Sequence, residues 1–70
     1  MNKEEKLVKI YNLLWEVDDV LVHRFFDWDS ENLLDEKIEV LTALKNGKKP
    51  SEIPKYYDIL EEYTNDQHWD

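Results

Sequence analysis

Seventy residues, with seventeen Asp and Glu against nine Lys and Arg, make a single small acidic domain of formal net charge −8, a charge that repels nucleic-acid phosphates and anionic membranes. The chain has no cysteine, which excludes disulfides and thiolate zinc sites and leaves packing, or association with another chain, to supply stability. Yet 41% of its residues are apolar, among them three Trp, four Tyr and two Phe, too many core-forming side chains for a disordered acidic polymer.

One Gly and two Pro leave little material for hairpin turns, and no stretch alternates apolar with polar residues for long, so the expected fold is all-α. No stretch reaches the roughly 20 apolar residues of a membrane span and the N-terminus carries no signal-peptide run, so a cytoplasmic chain with no membrane contact is expected.

The first predicted helix starts after Asn2, whose side chain suits an N-cap with Glu5 three positions on in a capping-box arrangement. Without Gly or Pro before Asp29, it is expected to run from about residue 3 to about residue 26, roughly 36 Å. Its main face is Leu7, Ile10, Leu14, Val17, Leu21 and Phe25. Leu13 and Val20 widen it on one side, and Val8, Tyr11, Trp15, Val22 and Phe26 on the other, to roughly 240° where a stripe of about 100° is usual. Asp18 falls inside this arc, where a carboxylate needs a partner such as Lys37, a tyrosine hydroxyl or the Trp15 ring N–H.

The stretch FFDWDSENLLDE, residues 25 to 36, concentrates acids at the next junction. Counted from Asp27 as a calcium loop, Asp29 and Glu31 fit the third and fifth positions, but Asn32 replaces the turn glycine and Ile38 the bidentate Glu, so no calcium site is expected. The stretch reads instead as a helix junction, with Asp29 or Ser30 as N-cap, Glu31 in the first turn, and Phe25, Phe26 and Trp28 covering the corner.

The second helix is expected over about 30 to 46, with Leu34, Ile38, Leu41 and Leu44 inward, Leu33 and Val40 beside them, and Gly47 as left-handed C-cap. In the connection NGKKPSEIP, Ser51 is placed to cap a short turn. Pro54 then opens a third helix, about 54 to 64, with Tyr56, Tyr57, Leu60 and Tyr63 inward and residues 65–70 as a frayed tail. The whole reads as one domain, residues 1–70: a small antiparallel three-helix bundle with a long first helix.

Chemistry-bearing constellations are sparse. His23, with Asp19 and Asp27 four residues to either side, reads as surface ion pairing, and His68 lies in the tail between Asp66 and Asp70. No phosphate loop, nucleophile elbow or zinc-binding helix motif is present, so no catalytic, cofactor, metal or small-molecule role is expected. Lys45, Lys48, Lys49 and Lys55 cluster at the second connection. The helix that follows carries Asp58, Glu61 and Glu62, the wrong sign for a DNA backbone, and direct nucleic-acid binding is not expected.

Two partner helices of about 15 and 11 residues are too short to cover so wide an arc. The expected function is therefore a non-enzymatic protein-protein interaction module. It would use Val8, Tyr11, Trp15, Asp18, Val22 and Phe26 to bind another protein or to form a homodimer. The alternative uses acidity: Asp19, Asp27, Asp29, Glu31 and Asp35 would imitate phosphates and occupy the groove of a basic nucleic-acid-handling protein. In that general character the chain resembles the acidic helical immunity proteins that neutralise nucleases and the small acidic inhibitors made by phages. It shares no motif with them, and no residue role is carried over.

Overall fold

Asn2 caps the first helix: its side-chain oxygen accepts the Glu5 N–H at 2.8 Å, satisfying one of the donors that a helix start leaves open. A computed structural model of the chain describes residues 2–26 and 28–66, with side chains described through Glu62. Among the described residues the fold is all-α, with α1 over Lys3–Glu16, α2 over Val20–Phe25, α3 over Leu34–Lys45 and α4 over Pro54–Asp66. A single 3-10 turn, Pro50–Glu52, precedes α4.

The single long first helix does not form. It stops at Glu16, and the backbone is extended at Val17 and Asp19 before turning again. Neither Gly nor Pro marks the break; a side chain does. An Asp19 carboxylate oxygen accepts from the N–H groups of Leu21 at 2.9 Å and Val22 at 3.3 Å. Aspartate is a weak helix former but a strong cap, because its short side chain competes for backbone donors. On the other side of the break, the His23 Nε2–H donates to the Val17 carbonyl at 2.7 Å.

The extended residues consume chain without the usual turn per residue and so rephase the buried face. Before the break Ile10, Leu13 and Val17 are buried, with Leu7 and Leu14 partly so. After it the buried residues are Val22 and Phe26, whereas an uninterrupted helix would have turned Leu21 and Phe25 inward. Phe26 stacks on Trp28 at 5.1 Å between ring centroids and meets Tyr56 at 4.8 Å. The Trp28 indole N–H donates to the Val22 carbonyl at 3.0 Å, tying the corner to α2.

The helix after this corner begins later than expected. Neither Asp29 nor Ser30 caps it. Ser30 Oγ accepts from the Asn32 N–H at 3.2 Å, and Leu33 takes a left-handed backbone conformation, φ 53°, with no side-chain cap. That conformation costs a residue with a Cβ of order 1 kcal/mol, sustained here as Leu33 packs on the core. At the far end α3 closes as Gly47 predicts. Gly47 has φ 95°, its N–H bonds the Leu44 carbonyl at 3.0 Å, and the Lys48 N–H bonds that of Ala43 at 3.0 Å. Those two bonds define a Schellman cap.

The packing of α1 against α3 is the main contact of the bundle, with α4 laid on α3. Lys3 pairs with Glu31 at 2.9 Å, Lys6 with Asp35 at 2.9 Å and Glu16 with Lys45 at 2.8 Å. The partners advance in the same sense along both segments, so α1 and α3 run parallel where adjacent antiparallel helices were expected. The physical reason lies between them: the segment before α3 returns along α1, with Asp29 bonded to Tyr11 and Glu31 paired with Lys3. The radius of gyration, 11.6 Å, is close to the roughly 11 Å typical of a compact chain this long.

On α3 the buried residues are Leu34, Lys37, Val40 and Leu41, with Ile38 and Leu44 at the margin. Lys37 is the unexpected member, 1% exposed, its ammonium donating to the Ser30 carbonyl at 3.1 Å. On α4, Pro54 stands at the first position as expected, but the buried residues are Tyr56 and Ile59, with Leu60 beside them, and Tyr57 is exposed. Helix α4 reaches Asp66, two residues beyond the expected end. The side chain of Tyr63, and residues 67–70 with His68 and Trp69, lie outside the described residues.

Candidate interaction surface

The core takes its residues from one side of α1 and leaves a second apolar line on the helix surface. Val8, Tyr11 and Trp15 are spaced by three and four residues, so they share one face. All three are exposed, Trp15 at 86%. Past the break, Val20, Leu21 and Phe25 of α2 are exposed as well, Val20 at 73%.

Of the six residues expected to form the interaction face, Val8, Tyr11, Trp15 and Asp18 are therefore at the surface, and Val22 and Phe26 are in the core. The last two are corrections caused by the rephasing at residues 17–19. Val20, Leu21 and Phe25 are what the sequence reading missed; the signal that could have found them is the Val17-Asp18-Asp19 stretch, a cap residue inside an apolar run. Asp18 is also corrected. The helical wheel that placed it among apolar neighbours ends at Glu16, and Asp18 is exposed in the break, with no bond to Lys37.

A shallow groove of about 350 Å³ opens at that break, lined by Trp15, Val17, Asp18, Asp19, Val20 and His23. Its polar groups are unequally occupied. Asp19 is the cap of α2 and His23 is bonded across the break. Asp18 has neither hydrogen bond nor ion pair among the described residues.

The acidic residues of the alternative reading are largely engaged within the molecule. Asp19 caps α2, Glu31 and Asp35 pair with Lys3 and Lys6, and Asp29 accepts from the Tyr11 hydroxyl. Asp27 lies outside the described residues. In the basic cluster, Lys45 is paired with Glu16 and Lys55 with Glu39. The Glu39 side chain holds the Lys55 ammonium above its ordinary pKa, through the hydrogen bond first and then through its charge.

Electrostatics also link the α2 cap to α4. Burial pushes the Tyr56 hydroxyl above its ordinary pKa, and the Asp19 carboxylate and Tyr57 add to the rise. Among the described residues no group of three or more His, Asp or Glu is arranged to hold a metal ion, and no helix is long and apolar enough to cross a membrane. Compared with protein-family models, with curated proteins and with solved structures, the chain matches none of them.

Proposed function

We propose that the chain is a non-enzymatic helical interaction module that binds another protein through the apolar surface of α1 and α2. The observation that carries this reading is the line Val8–Tyr11–Trp15, with Trp15 almost wholly in solvent while Phe26, Trp28 and Tyr56 are buried. Large aromatic side chains are costly to leave in water and are enriched where partners dock, and exposed apolar residues grouped on one face mark interaction sites more often than scattered ones do.

The test compares proteins captured from the source cells by the wild-type chain and by Trp15→Lys. The expected result is a partner bound by the former and lost by the latter at unchanged melting temperature, because Trp15 contributes little to the core. An identical set of captured proteins would remove the reading. The alternative, an acidic inhibitor of a basic nucleic-acid-handling protein, draws on the net charge of −8. It has less support, since Lys3 and Lys6 already accompany two of its acids.

A further inference from the structure

The groove at the α1–α2 break has a chemistry of its own, and from it we infer the class of partner: a basic amphipathic helix that sets an Arg or Lys side chain on Trp15 and Asp18. This inference rests on the interaction reading above and narrows it. Trp15 offers an exposed indole face, the best of the aromatic surfaces for a cation. Beside it stands the Asp18 carboxylate, exposed and without a hydrogen bond or ion pair among the described residues. Val20 lines the same groove and is exposed. A long basic side chain matches all three: its methylene stem lies on Val20, its charge over the indole, and its N–H donors reach the carboxylate.

The rest of the line gives the occupant its shape. Val8 and Tyr11 continue from Trp15 along one helical face, so a partner that follows α1 needs apolar anchors at helical spacing. A second copy of this chain fits poorly. Exposed Glu4 precedes Val8 by four residues on the same face, and Asp18 and Asp19 stand beyond Trp15 at the other end. An antiparallel pair of α1 helices would set Glu4 of one copy toward Asp18 and Asp19 of the other, between two chains of net charge −8 each. Like charges placed together oppose association.

Two synthetic peptides of identical leucine spacing, one carrying Arg and the other Glu on its polar face, test the inference against the 70-residue chain by fluorescence anisotropy. The Arg peptide is expected to bind, more weakly as salt is raised. Trp15→Ala is expected to weaken it about tenfold and Asp18→Asn about threefold. Glu61→Gln, a charge removed from the exposed surface of α4, is expected to change nothing. Equal binding of the Glu peptide, binding of neither, or an equal loss with Glu61→Gln would overturn the inference. If the Glu peptide binds and Trp15→Ala abolishes that binding, the interaction surface stands while its basic partner falls. If the Arg peptide ignores Trp15→Ala, both fall together.

Discussion

Leu21 and Phe25 are exposed, while Val22 and Phe26, one residue further on in each case, are in the core. The two pairs have nearly the same chemistry and the same spacing, and all four residues lie in one short helix or at its C-cap, so hydrophobicity did not sort them. The phase of α2 sorted them, and that phase is set by the break with extended backbone at Val17 and Asp19 and by the Asp19 cap. Of the pair that faces inward, Phe26 meets Trp28 and Tyr56, and the Val22 carbonyl accepts from the Trp28 indole. The pair that faces outward stays in solvent.

The widest gap should appear between the two phenylalanines. Phe26→Ala is expected to cost about 3–5 kcal/mol, by loss of burial and the cavity left behind, whereas Phe25→Ala should cost less than about 1 kcal/mol. Urea unfolding of the two variants would read this directly. Against a total stability of about 5–15 kcal/mol, the first loss is a large fraction of the whole. Equal costs would mean that α2 is not phased as described.

A smaller effect is expected where the phase is set. Asp19→Ala removes the acceptor for two backbone donors and should destabilise the chain by about 1 kcal/mol. It should also raise hydrogen exchange at the Leu21 and Val22 amides more than at Leu13. Uniform exchange across those sites would argue that the break is held by packing and not by the cap.

The smallest expected effect is confined to alkaline pH. Tyr56 ionises at higher pH in the folded chain than in the unfolded one, because burial disfavours the phenolate. Its contribution is therefore complete below the unfolded value of about 10 and is lost as pH rises through the raised folded value. Tyr56→Phe should flatten that alkaline decline in melting temperature and leave the neutral range otherwise little changed. A decline of the same slope in the variant would assign it to other groups.

Much of this was legible because it depends on neighbours in sequence. The Asn2 cap and the Gly47 Schellman closure follow from side chains and backbone freedoms confined to one turn, and the helical class follows from apolar spacing. The misread residues share a different trait. Asp18 was placed by extending a helical wheel through Asp19, although local capping competes with helix continuation at that residue. Lys37 was read as a candidate partner for Asp18. It is buried, and its ammonium donates to the Ser30 carbonyl, which the turn before α3 brings within reach.

The candidate surface divides in the same way. Val8, Tyr11 and Trp15 could be read as surplus because three apolar residues on a flank of α1 exceed what short partner helices cover. Val20, Leu21 and Phe25 could not, since their exposure depends on the turn of chain lost between residues 17 and 19. The groove at that break exists because the helix stops there.

The amino-acid sequence alone determined that the chain is acidic and helical, and where its first helix starts and its third helix ends. These follow from composition and from interactions spanning three or four residues. The tertiary structure decided the parallel course of α1 and α3, the burial of Lys37 and Phe26, and which apolar side chains remain in solvent. Those outcomes compare free energies between packings of distant segments, and a change of one residue in helical phase is enough to exchange the core for the surface.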